Sequence, residues 1–158
     1  RSRGLGDVYK RQRFGRAFAR RGLDEIMVRF SPILEENQVL GMGPNATANM
    51  FSAAGYFDTL TTAATMDFAG RYHRLHGVDA PSLNSIGQSC YEAINVLAEL
   101  AGRAGSLAVP ALEAVAHGLR IEGARGVLRL GSGDTDQDVY LAAARHLDLD
   151  VLERIHVA

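Results

Sequence analysis

The residues of this 158-residue chain whose types and spacing suit chemistry fall into four groups. His73-x-x-His76 places two imidazoles on one side of a helix, as paired metal ligands can be placed. No further Cys or His belongs to the same element, and the pair sits near the helix end, where a histidine interacts favourably with the helix dipole. Asp134-x-Asp136-x-Asp138 imitates the opening of a calcium loop. Val139 stands where that loop needs glycine and Arg145 where it needs glutamate, so the segment reads as a solvated turn. Cys90 falls on the apolar stripe of its helix with no basic neighbour in sequence to lower its pKa, and reads as a core thiol. Ser31, Ser85, Asp58 and His73 include the residue types of a nucleophilic triad, but no Gly-x-Ser-x-Gly elbow presents a serine. The expectation is therefore no catalytic residue, no metal site and no cofactor.

The elements that would position these residues alternate in type. Phe14 to Arg21 has helical spacing, with Phe14, Ala17 and Phe18 on one face and Gly22 as the stop. Ile26 to Phe30 (IMVRF) reads as a short strand ended by Ser31-Pro32. A polar stretch and a Gly41-Met42-Gly43-Pro44 loop follow. Met50 to Phe57 (MFSAAGYF) reads as a second strand in which Gly55 allows close backbone approach. Thr61 or Thr62 caps a helix running to His76, with Gly77 as its stop. Ser85 to about Ala104 is the strongest helix, with Ile86, Cys90, Ala93, Ile94, Leu97, Ala98 and Ala101 as its apolar stripe. Val109 to His117 is a further helix opening at Pro110. Strands are expected at 119–121, 126–130, 138–144 and 149–155, with a turn at 131–134.

This pattern predicts an α/β fold: a three-layer lobe with a mostly parallel sheet flanked by helices, plus C-terminal β-strands. Ligands of such sheets sit beyond the carboxyl ends of the strands. By that rule Ser31–Glu35, Tyr56–Phe57 and the helix start at Asn84–Ser85 should share one edge.

Composition narrows the function classes. With 47% hydrophobic residues the chain can bury a core, which argues against disorder. No window approaches 18 consecutive apolar residues, so membrane insertion is not expected. The single cysteine excludes an internal disulfide and a Cys-based zinc site. Residues 1–21 hold eight of the 17 basic residues and one of the 18 acidic ones, which leaves the remainder at about −8. That charge, with no local basic patch, argues against direct nucleic-acid binding. Residues 1–12 (RSRGLGDVYKRQ) contain the sole lysine, lack apolar periodicity and resemble translated sequencing-adapter read-through. The expected organisation is a non-native leader over 1–12 and one lobe over 13–158.

Three stretches carry a family resemblance: GYFDTLTTAATMDFAGRYHRLHGVDAP (55–81), NSIGQSCYEAINVLAELAGRAGS (84–106) and EGARGVLRL (122–130). Together they resemble the type I periplasmic-binding-fold solute-binding proteins of the leucine/isoleucine/valine class. Within that class the sequence is similar to the amide- and urea-binding branch, which includes the amide-sensing regulator of amidase operons. The aromatic pair Tyr56-Phe57 before Asp58, then Phe68-x-x-x-Tyr72-x-x-x-x-Gly77, carry the branch assignment. The resemblance implies the C-terminal lobe of a two-lobe protein whose N-terminal lobe is missing, non-enzymatic, closing on a small amide, urea or amino acid at a hinge.

The same resemblance implies ligand contacts at Ser31 and Glu35, at Tyr56 and Phe57, and at Asn84, Ser85 and Ile86. A small polar ligand needs a few directed donors and acceptors in an apolar wall. Ser31, Asn84 and Ser85 suit the first role, Tyr56 and Ile86 the second, and Glu35 suits an amino group. The alternative for each is packing or capping: Tyr56 and Phe57 in the core, Asn84 or Ser85 as helix cap. The implied partner is an ABC permease, with a periplasmic or cell-surface location once a signal peptide is supplied. The alternatives are a cytosolic amide sensor acting on a regulatory protein, and an α/β enzyme.

Overall fold

The computed structural model describes residues 3–77 and 79–155; residues 1 and 2 of the leader lie outside the described residues. Among the described residues, five α-helices, α1 (Arg3–Ala19), α2 (Glu36–Met42), α3 (Ala63–His76), α4 (Ser85–Ala104) and α5 (Val109–Ala116), accompany seven strands. The strands are β1 (Arg29–Phe30), β2 (Met50–Ala54), β3 (Arg120–Gly123), β4 (Gly126–Leu130), β5 (Thr135–Asp136), β6 (Val139–Arg145) and β7 (Asp148–Ile155).

The α/β lobe and the terminal strands are as expected. Parallel pairing, however, is confined to β1 and β2 in a four-stranded sheet of order β1-β2-β6-β7. The β2–β6 and β6–β7 ladders are antiparallel. The cause is local: β6 and β7 are joined by His146-Leu147 alone, with His146 at φ 57, and so short a loop forces a hairpin. A second, three-stranded antiparallel sheet has the order β3-β4-β5. Its first hairpin turns through Ala124-Arg125, with Gly126 at φ 108, a conformation that favours glycine.

Local rules hold best at helix ends. Thr62 Oγ1 accepts from the Thr65 amide (3.1 Å) at the start of α3, and Gly77 at φ 81 ends it. Asn84 Oδ1 accepts from the Gly87 amide (2.7 Å) at the start of α4. Gly22, left-handed at φ 66, follows α1, which extends back through the leader as far as Arg3.

Four expectations are corrected. IMVRF forms a strand at Arg29–Phe30 alone, since Ile26, Met27 and Val28 have no paired neighbour and stay exposed. β2 ends at Ala54, because the chain bends at Gly55 and turns Tyr56 and Phe57 into the core. The stretch read as polar loop forms α2, whose Val39 and Met42 are buried against the sheet. Most consequentially, the apolar stripe of α4 faces outward. Ile86 and Ile94 are about two-thirds exposed and Cys90 is exposed, while Gln88 and Glu92 form the buried side.

That inversion has a polar cause. Arg125, in the β3–β4 turn, is 6% exposed and donates to Gln88, Ser89 and Gln137 while pairing with Glu92. The opposing face of Gly55 allows this: a Cβ there would come within 3.1 Å of Arg125 Nη1. The main core lies elsewhere, between the four-stranded sheet and α1–α3, around Leu34, Val39, Tyr56, Phe57, Phe68 and Leu149.

Candidate functional site at the strand ends

Parallel strands β1 and β2 present their carboxyl ends to the same edge, and α2 begins just beyond β1. A cavity of about 270 Å³ opens there, lined by Pro32, Ile33, Leu34, Glu35, Gln38, Ala54, Ser85 and Ile86, with Arg11 at its rim. Three of the seven expected contact residues, Glu35, Ser85 and Ile86, therefore meet on one wall. Ser31 is half-buried in the adjoining cavity of about 560 Å³, which shares Arg11, Ile33, Leu34 and Gln38.

Glu35 is the joint of this site. Its Oε1 accepts from the Ile86 amide at 3.2 Å, so a carboxylate from the β1–α2 loop meets an unsatisfied N–H in the first turn of α4. The contact fixes the long helix against the sheet edge and holds Ser85 and Ile86 beside the strand ends.

The remaining expected residues have other roles in this structure. Tyr56 and Phe57 are 0% and 1% exposed, with Tyr56 meeting Phe68 edge-on at 6.1 Å between ring centres. Asn84 spends its side-chain oxygen on the α4 cap. Its outer side faces a separate groove of about 540 Å³ walled by Phe68, Tyr72, Leu83 and Tyr91.

Two residues that sequence reasoning missed support the edge. Glu36 is 5% exposed and accepts from the Asp58 amide at 3.0 Å, tying α2 to the loop after β2. Burial pushes its carboxyl up to about 7, partly offset by that hydrogen bond. Asp58 is also raised by burial, with the nearby His73 acting against the shift. Gln38 lines both cavities. The Val39 and Met42 spacing, closed by Gly43-Pro44, was the available signal for α2.

The motif residues set aside on sequence are occupied locally. His73 and His76 flank the Tyr72 ring at 5.5 and 4.8 Å. Asp136 pairs with Arg129 at 3.3 Å and Asp138 with Arg154 at 3.5 Å.

Residues 12–146 match the family described as periplasmic binding protein. The chain belongs to that family. No curated protein matches it significantly. Among solved structures, it is similar to an amino acid ABC transporter substrate-binding protein from Pseudomonas fluorescens, at 16% identity and TM-score 0.77, over 93% of this chain and 42% of that one. An ABC transporter substrate-binding protein from Sphaerobacter thermophilus superposes with TM-score 0.78 at 18% identity, over 94% and 42%. A solute-binding protein of an ABC transporter from Rhodopseudomonas palustris, in complex with 3,4-dihydroxybenzoic acid, gives 0.76 at 20% identity, over 93% and 42%. This periplasmic-binding-protein chain thus spans about two-fifths of the length of the solved structures it matches. Among the described residues, no helix is long and apolar enough to cross a membrane.

Proposed function

We propose that residues 13–158 are the C-terminal part of a two-lobe, non-enzymatic solute-binding protein that receives a small amide, urea or amino acid. The observation that carries this reading is the convergence of Glu35, Ser85 and Ile86 on one cavity at the carboxyl ends of parallel strands. Ser31 and Ser85 supply hydroxyls, Glu35 and Gln38 supply polar groups for an amine or amide, and Ile86, Ile33 and Leu34 supply the apolar wall. Tyr56 and Phe57 support this wall from beneath, and Asn84 holds the helix that carries Ser85 and Ile86.

A ligand bridging this edge and a second lobe stabilises the closed arrangement by its differential affinity for it. The family and the transporter-associated relatives support delivery to an ABC permease from the periplasm or cell surface. The leader over 1–12 takes no part in recognition in this reading, although Arg11 reaches the cavity rim and donates to the Ile33 carbonyl (3.2 Å).

Ligand-induced thermal stabilisation of the complete protein tests the site, because a ligand bound to the native state alone raises stability by RT ln(1 + [L]/Kd) and so reports its affinity. Glu35→Gln and Ser85→Ala are each expected to reduce the ligand-induced shift while the unliganded Tm moves little. An undiminished shift in both variants would remove this cavity as the binding site.

A further inference from the structure

We infer that the groove between α3 and α4 is a second small-molecule site, suited to an aromatic carboxylate and separate from the strand-end cavity. Its volume of about 540 Å³ is of the size that small ligands occupy. The two cavities share no lining residue. They interleave along the chain instead. Asn37 falls between Glu35 and Gln38, and Asn84 and Gly87 flank Ser85 and Ile86, so the junction of α2 with α4 opens on two faces.

One wall is an aromatic ladder. Phe68, Tyr72 and His76 recur every four residues, which puts them on one face of α3. The Tyr72 and His76 ring centres are 4.8 Å apart. Tyr91 of α4 meets this wall, with its ring centre 5.0 Å from that of Phe68. Gly87, one turn before Tyr91, contributes no side chain, so the α4 wall stays open there. Leu83 is buried at the base of the groove. The Tyr72 hydroxyl donates to the Pro81 carbonyl at 2.9 Å and so ties the chain ahead of α4 to α3. Leu75 and Tyr91 nevertheless remain exposed at the groove's rim, which leaves an apolar, ring-lined opening.

The polar groups select the charge of the occupant. Arg71 and His76 line the groove, and no acidic residue does. Arg71 Nε pairs with Asp67, outside the lining, at 3.0 Å, and Nη1 donates to the Tyr91 hydroxyl at 3.3 Å. Nη2 is engaged by neither partner and is left for a ligand oxygen. A cationic ligand would meet the guanidinium with no carboxylate in the lining to balance it. A neutral apolar one would leave Nη2 unused. An aromatic carboxylate satisfies both walls. Its ring packs offset or edge-on with Phe68, Tyr72 and Tyr91, and its carboxylate takes a charge-assisted hydrogen bond from Arg71. The inference holds whatever the strand-end cavity binds.

Calorimetric titration of the complete protein with naphthoate tests it, beside naphthalenemethanol, which lacks the charge, and cyclohexanecarboxylate, which lacks the aromatic ring. Naphthoate is expected to bind saturably and roughly tenfold more tightly than either. Arg71→Gln should weaken naphthoate about tenfold and leave naphthalenemethanol unchanged. Tyr91→Leu, which keeps apolar volume in place of the ring, should weaken both. Glu35→Gln, in the other cavity, should change neither. The Arg71 side chain is half exposed, so its variant should keep the parent's Tm and remains a fair test if Tyr91→Leu misfolds. Cyclohexanecarboxylate binding as tightly as naphthoate would overturn the inference. So would naphthoate affinity that falls in Glu35→Gln and not in Arg71→Gln. Absence of naphthoate binding would overturn it as well, and a dimer dissociated by Leu75→Glu would then make a second copy the occupant. The ligand-induced shift of Tm in Glu35→Gln reports on the strand-end cavity, so failure of that reading shows separately.

Discussion

Arg125 Nε stands 2.6 Å from Glu92 Oε2, and both side chains are 7% exposed. The pair joins the β3–β4 turn to the middle of α4, and Gln88, Ser89 and Gln137 complete the guanidinium's shell. Burial raises the Glu92 pKa and lowers that of Arg125, and each partner offsets the other's shift. Such a pair is weak as a source of stability but costly to break, because the survivor is left charged in a dry site. Arg125→Met is expected to cost about 3–5 kcal/mol in denaturant unfolding. The double variant Arg125→Met, Glu92→Leu should recover most of that. A double variant no more stable than the single one would contradict the ion-pair account.

Glu36 gives the fold a pH dependence with a defined sign. Its carboxyl titrates near 7 in the folded protein, against an ordinary value of 4.5, so the folded state holds the proton more tightly than the unfolded chain. Its contribution is full below about pH 4.5 and is lost as pH rises through 7. Glu36→Gln should remove roughly 2–3 kcal/mol of that dependence. Stability of the variant, measured between pH 5 and 8, should therefore fall less with rising pH than that of the parent.

The Asn84 cap separates stability from affinity. Asn84→Ala is expected to cost about 1 kcal/mol, and Asn84→Asp much less, because aspartate retains the accepting oxygen. Equal losses for both in thermal unfolding would show that the Gly87 bond is not what the residue provides.

The outward stripe of α4 makes a solubility prediction. Ile86, Ile94 and Leu97 are 65%, 67% and 42% exposed, and Leu107 and Val109 beyond them are 72% and 63% exposed. Contiguous apolar surface of this kind drives association. The 158-residue chain should self-associate with rising concentration in light scattering, and Ile94→Glu with Leu97→Glu should reduce it. A monodisperse parent chain would contradict this.

Legibility in the sequence followed the range of the forces involved. Caps at Thr61 or Thr62 and at Asn84 or Ser85, the stops at Gly22 and Gly77 and the approximate extent of α4 were readable because each is set within a few residues; the structure uses Thr62 and Asn84. The rule for strand ends placed Ser31–Glu35 and the start of α4 at Asn84–Ser85 on one edge, but the hydrogen bond from the Ile86 amide to Glu35 was not foreseen. The facing of α4 was not readable, because periodicity marks which side is apolar and not which side is covered. A single arginine, Arg125, 37 residues beyond Gln88, decides that. The burial of Tyr56 and Phe57 likewise depends on the bend at Gly55, which opens space for Arg125. The pairing of β6 beside β2 is a long-range choice that no local pattern specifies.

Calorimetric titration of the complete protein with acetamide, urea and leucine, with the ligand assayed afterwards, tests the binding reading most directly. The account predicts saturable one-to-one binding of at least one of them, with the ligand recovered intact. Hydrolysis of the amide or urea, or no heat of binding from any of the three, would contradict it.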